Sequence, residues 1–343
     1  MRLEPLLKAL SDPTRLRIMR LLAHMELAVG ELAQVLGQSQ PRVSRHIRIL
    51  CDAGLAERRK EGSWVFLRAA IGEASAPPLG AAAARLLAVS ESDDAAFAAR
   101  CAEDRRHLAA IRAARQASAE AYFARHAADW DTLRVLHSPD QPVEEALATM
   151  LGAGPGSHGL GALLDVGTGT GRMAELFAPR AARVVALDKS PEMLRVARAR
   201  LDGSLGASGA GTIDLVQGDF TALPFDGATF DTVLFHQVLH YAQEPGQVLA
   251  EAARVTRPGG RVAIVDFAAH DREELRERHA HARLGFADEQ MLGFLAEAGF
   301  AGEAVRALAG QPLTVKIWTA RKSVPAREKM PVPDGAVLER EEG

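Results

Sequence analysis

At 343 residues, 48% hydrophobic and 25% charged, the chain is long enough for two or three domains, each burying its own core. It has no apolar run near the roughly 20 residues needed to span a bilayer and no secretory leader pattern, so a cytoplasmic protein is expected. Its two cysteines, Cys51 and Cys101, exclude a disulfide framework and a cysteine-rich metal site. The net charge of −3 is unevenly spread: residues 1–72 carry 12 Lys/Arg against 7 Asp/Glu, or +5, which leaves −8 for the remainder. A basic head on an acidic body suits a chain of which only the head meets a polyanion.

Leu3 to Leu10 reads as a short helix, and Ser11-Asp12-Pro13 as the capped, proline-led start of the next, with Leu16, Ile18, Leu21 and Leu22 on its apolar face. A third helix is predicted from about Val29 to Leu36. Gly37-Gln38-Ser39-Gln40 then turns the chain into a helix beginning near Pro41, in which Val43, Ile47 and Leu50 face inward. Gln40, Arg42, Ser44, Arg45, His46 and Arg48 are left outside. Gly54 ends that helix. Leu55–Arg59 and Trp64–Arg68 alternate around Lys60-Glu61-Gly62-Ser63, which predicts a hairpin with a basic tip.

Helix, tight turn, helix and hairpin is the geometry that sets a second helix in the major groove with a wing along the phosphates. The stretches LSDPTRLRIMRLL, ELAQVLGQSQPRVSRHIRIL and EGSWVFLR resemble the winged helix of the ArsR/SmtB repressors, over about residues 3–70. The resemblance implies a DNA face of Gln38, Ser39, Gln40, Arg42, Ser44, Arg45, His46 and Arg48, with Arg58, Arg59 and Lys60 in the wing. The alternative is a winged helix used for protein contacts. Ala28 and Gly30 stand where the arsenic-sensing members carry thiolates, so no metal site is expected.

Pro77-Pro78 marks a boundary, and from Ala81 to Ser138 there is neither glycine nor proline. That span predicts one or two long helices, serving as dimerisation segment and connector or as a cap on the following domain.

Leu163-Leu164-Asp165-Val166-Gly167-Thr168-Gly169-Thr170-Gly171 is an apolar strand running into a glycine loop, the floor of a nucleoside-type pocket. Arg172 replaces the third glycine that a dinucleotide fingerprint needs, which argues against NAD. A second strand ends in Asp188, 17 residues past Gly171, where a carboxylate can accept from both ribose hydroxyls. Asp214-Leu215-Val216-Gln217-Gly218-Asp219-Phe220 repeats the strand-then-acid pattern, offering an acceptor and a ring for adenine. Phe230–His236 and Arg254–Arg261 follow.

In series these resemble the class I S-adenosylmethionine-dependent methyltransferases, over about residues 160–320. The resemblance implies a cofactor set of Asp165, Gly167, Thr168, Gly169, Gly171, Asp188, Lys189, Met193, Gly218, Asp219, Phe220 and Phe235. His236 and His240, four apart, are expected on one helical face, with His236 either a general base or a packed ring. Gly203 to Gly211 reads as a surface loop, and Ser323 onward as a disordered tail.

The expected architecture is multidomain. Residues 1–76 form an α+β winged helix-turn-helix, 77–150 a helical connector and dimerisation segment, 151–322 an α/β Rossmann-like methyltransferase fold, and 323–343 a tail. The chain is also similar to homocysteine-nucleoside-responsive repressors that join these two modules. The expectation is therefore a homodimeric operator-binding regulator that takes S-adenosylmethionine or S-adenosylhomocysteine as effector. The alternative is an active small-molecule methyltransferase with an attached DNA-binding head.

Overall fold

A computed structural model describes residues 1–23, 25–71, 77–135, 140–153, 159–204, 212–310 and 312–324. The expected surface loop falls largely outside this set, as does nearly all of the expected tail.

The head comprises α1 (Leu3–Leu10), α2 (Pro13–Leu22), β1 (Leu27–Ala28), α3 (Val29–Leu36), α4 (Gln40–Asp52), β2 (Ala56–Glu61) and β3 (Trp64–Ala69). Its helix ends follow from local chemistry. Asp12 accepts from the Arg15 amide and Pro13 opens α2. Glu31 reaches back to the Ala28 amide at 3.0 Å, and Gly37 closes α3 at φ 62°. Ile18, Leu32, Val43, Ile47, Leu50 and Leu67 form one core beneath a three-stranded sheet of order β1-β3-β2.

Two helices follow, α5 (Pro78–Asp93) and α6 (Ala95–His126), the second capped by Asp94 through the Ala96 and Phe97 amides. Leu108 and Ile111 of α6 join the core of the head. Arg17 donates through Nε and Nη2 to Asp104 at 2.7 and 2.5 Å, and Asp104 is buried. The connector is thus bolted onto the head along its first half.

The body adds α7 (Trp130–Val135), α8 (Asp140–Met150), β4 (Ala162–Val166), α9 (Arg172–Phe177), β5 (Arg183–Asp188), α10 (Pro191–Ser204), β6 (Thr212–Gln217), β7 (Phe230–His236), α11 (Pro245–Val255), β8 (Thr256–Phe267), α12 (Glu274–His279), α13 (Asp288–Glu297), β9 (Phe300–Leu308) and β10 (Val315–Lys322). The strands make one sheet, β6-β5-β4-β7-β8-β10-β9, parallel from β6 to β8, with β10 antiparallel to both neighbours. Both faces are covered, so the central strands are apolar throughout rather than alternating. Leu163 and Val184 join one core with Phe177, while Leu164 and Val185 join the other with Leu249 and Leu295.

The hairpin differs from expectation at its tip. Lys60 and Ser63 are exposed, but Glu61 between them is buried, its carboxylate accepting from Arg276 Nη2 at 2.5 Å and from the Leu284 amide at 2.7 Å. Arg59, expected in the wing's DNA-facing set, turns toward Glu26 and Glu61 and is half-buried, unlike Arg58 and Lys60. Sequence offers no local sign of the burial of Glu61, since Arg276 and Leu284 lie more than 200 residues away.

Removing the carboxylate that anchors the connector leaves the Arg17 guanidinium without its charged acceptor. Asp104→Ala should therefore lower stability by about 1.5–3 kcal/mol. Urea unfolding followed by circular dichroism checks this, and an unchanged midpoint contradicts it.

Candidate ligand chamber

The carboxyl edge of the sheet carries the candidate site. At the end of β4 the chain enters the glycine loop with Gly167, Gly169 and Gly171 at φ 69°, 56° and 84°. The loop is held down by Gly167 and Thr168 amides donating to Leu187 O at 2.8 and 2.9 Å, and by Thr168 Oγ1 donating to Asp165 at 2.6 Å. A Cβ at Gly167 would run into Val238, so this glycine is demanded by the close approach of the segment after β7 as well as by its φ.

Asp188, at the end of β5, accepts from the Gly169 amide at 2.8 Å and the Ser190 amide at 2.9 Å. Burial nevertheless pushes its carboxyl above the ordinary range, because desolvation outweighs these backbone donors. Asp219 accepts from Lys189 Nζ through Oδ2 and from Thr221 through Oδ1, and is held below the usual range despite partial burial. Lys189 also pairs with Glu120 of α6 at 2.8 Å, which ties the connector to the pocket rim.

Asp165, Gly167, Thr168, Gly169, Asp188, Lys189, Met193, Gly218, Asp219 and Phe220 all line one cavity of about 1140 Å³, together with His236. Two expected cofactor residues do not. Gly171 is the left-handed N-cap of α9, packed on Ala197 and Leu201, and Phe235 lies in the core of the sheet.

The histidines also differ from the helical-face expectation. His236 is the last residue of β7, whereas His240 sits in a separate single turn and is fully buried. Its Nδ1 lies 2.8 Å from Asp266, which also accepts from the His240 amide. An acid within the apolar run Ala263-Ile264-Val265-Asp266-Phe267 was the available sequence signal for this pair. Between the two histidines, Gln237 lines the cavity at φ 53°, a left-handed conformation uncommon for a side chain larger than glycine.

Much of the outer wall escaped sequence reasoning. Phe123 and Ala124 of α6 and Trp130 roof the cavity, and Phe123 meets Trp130 and Tyr241 edge-on at 5.4 and 4.8 Å. Beyond them the head itself contributes Glu26, Glu31, Trp64 and Phe66, facing Arg112, Arg115, Arg276 and Arg283. These charges are paired: Arg115 with Glu31 at 2.7 Å, Arg283 with Glu26 at 2.8 Å and Arg112 with Glu244 at 2.5 Å.

On the head, Ser39, Gln40, Arg42, Ser44, Arg45, Arg48, Arg58 and Lys60 are exposed. Gln38 and His46 are half-buried, near Thr14 and Asp12 respectively.

Comparison with known proteins agrees with this division. Residues 12–58 match the model of bacterial regulatory proteins of the arsR family, and residues 164–264 match that of a methyltransferase domain. A demethylmenaquinone methyltransferase of Renibacterium salmoninarum is 40% identical over 117 residues, covering 34% of this chain and 44% of the relative. A malonyl-[acyl-carrier protein] O-methyltransferase of Serratia marcescens is 34% identical over 178 residues, covering 50% and 63%. The chain thus spans less than two thirds of the length of these curated relatives. A crystal structure of a Bacillus halodurans protein superposes with a TM-score of 0.45 at 23% identity, covering 53% of this chain and 99% of that one.

Gly167→Ala combines an unfavourable φ with the clash against Val238 and should cost about 1–3 kcal/mol. Adding Val238→Ala should recover the steric part and leave the backbone part. Thermal unfolding of the two variants tests this, and equal stability of Gly167→Ala and the parent would refute the packing role.

Proposed function

From a chain that joins an ArsR-family helix-turn-helix domain to a class I methyltransferase domain, we propose a dimeric DNA-binding transcriptional regulator whose effector is S-adenosylmethionine or S-adenosylhomocysteine. One observation carries this reading: Glu26, Glu31, Trp64 and Phe66 of the head line the same cavity as Asp188, Gly169 and Gly218 of the body. A ligand there touches both modules, so its affinity differs between arrangements of head and body, which is what allostery requires.

The residues fit an adenosyl nucleoside. Asp188 offers a carboxylate to ribose hydroxyls, Asp219 and Phe220 offer an acceptor and a ring to adenine, and the glycine loop leaves room for the amino-acid end. S-adenosylmethionine, when bound, supplies an electrophilic methyl group. On the head, the exposed Ser39, Gln40, Arg42, Ser44, Arg45 and Arg48 suit a groove-facing helix. The exposed Leu3 and Leu7 on one face of α1, and Leu86 and Val89 on one face of α5, support a second copy packing there.

A second reading, an active enzyme on a small acceptor, is favoured by cavity size. About 1140 Å³ exceeds the roughly 300–1,000 Å³ typical of a single-ligand pocket, and His236, Gln237, Tyr241 and His281 line it beside the glycine loop. Turnover of labelled cofactor against a metabolite pool, compared with His236→Ala, separates the two.

Operator affinity should change about 5–150-fold with saturating nucleoside; a change within twofold ends the regulatory reading. Asp188→Asn should weaken nucleoside binding by about 1.5–3 kcal/mol in calorimetry. Because the carboxylate is the accepting form, wild-type affinity should fall as pH drops through a pKa that burial raises above the ordinary carboxyl range. Asp188→Asn should flatten this dependence, and a parallel pH profile for both proteins would contradict the assignment.

A further inference from the structure

The wing and the neighbouring Glu26 are held to the body by ion pairs and hydrogen bonds. Glu61 accepts from Arg276 and the Leu284 amide, Ser63 N donates to Glu273 at 2.6 Å, and Arg283 joins Glu26 at 2.8 Å. Arg276 lies over the Trp64 ring at 4.4 Å and Arg283 over Phe66 at 4.2 Å. The fit is close: a Cβ on Gly62, itself at φ 57°, would sit 2.7 Å from Leu284 Cδ1. Arg276 and Arg283 have side chains only 6% and 2% exposed, so each guanidinium is desolvated and depends on its carboxylate.

We infer that the surface formed by residues 273–284 is an intramolecular docking site for the wing, in competition with the DNA backbone. Docked, Glu61 is buried against Arg276 and the Ser63 amide is held by Glu273, so the end of the hairpin is tied to the body and withheld from DNA. Released, the end of the hairpin is free to lie on a duplex beside Arg58 and Lys60, which are exposed in either state. The docked hairpin also completes the chamber, since Trp64, Phe66, Arg276 and Arg283 all line it. An occupant of the chamber therefore favours the docked wing and weakens DNA binding. That sign for the ligand rests on the function proposed above; the competition between body and DNA does not.

The test uses the full chain, a random-sequence 30-base-pair duplex at low salt, and S-adenosylhomocysteine as probe. Without nucleoside, Glu61→Gln and the milder Glu273→Ala should each raise duplex affinity at least threefold and speed amide exchange over residues 56–69. Glu273 is an outer acceptor, so its loss spares the fold should Glu61→Gln fail to fold. Unchanged affinity and exchange in the folded variants overturn the inference. With nucleoside, wild-type exchange over 56–69 should slow and duplex affinity fall, both effects being reduced in the variants. Calorimetry reports nucleoside binding independently: if it binds and the wing amides do not respond, the ligand sign is wrong. If it does not bind, the effector reading fails while the ligand-free comparison still decides the competition.

Discussion

A chain of alternating charges, buried at Glu61, Arg276 and Arg283 and half-buried at Arg59 and Glu26, is the constraint on which the arrangement of the two modules depends. Desolvating such groups costs several kcal/mol per ion, and their mutual attraction offsets this only while every partner is present. The cluster is thus sensitive to anything that moves the hairpin relative to the body. Apolar residues of similar volume would hold the modules together more simply. Here the carboxylates belong to the head and the guanidiniums of Arg276 and Arg283 to the body, so the contact is lost when either side moves away.

The chamber inherits this dependence. Its inner half is built on strand ends of one sheet, held by backbone amides on Asp188 and Leu187, and is rigid by construction. Its outer half belongs to α6 and the head, where side-chain ion pairs do the holding. One end of α6 is fastened to the head by Arg17–Asp104 and the other reaches the pocket rim through Glu120–Lys189. The rod between the modules is accordingly part of both, and two routes of coupling, rod and wing, run past one cavity.

Local chemistry made the elements legible. Asp12-Pro13, Gly37 and the i, i+4, i+7 spacing of Val43, Ile47 and Leu50 place the helices of the head to the residue or near it. Strand-then-acid repeats locate Asp188 and Asp219 at the sheet edge because parallel strands buried on both faces are apolar until they end. Long-range partners were not legible. Glu61 sits in a hairpin whose composition looks basic and solvated, and only Arg276 and Leu284, distant in sequence, bury it. Phe235 lies outside the cavity lining for a related reason: pattern shows that it is in a strand but not which face it takes. His240 was misjudged because β7 gives way to a strained Gln237 and a single turn rather than a helix.

If ligand and DNA are linked through the shared wall, the linkage must be reciprocal. The decisive measurement is calorimetric titration of S-adenosylhomocysteine into the full-length protein, once free and once saturated with duplex. Affinity for the nucleoside should be lower on DNA, by the same factor that the nucleoside lowers affinity for DNA. Identical affinities in the two titrations would mean that head and body share a cavity wall without sharing energy, and would contradict the account.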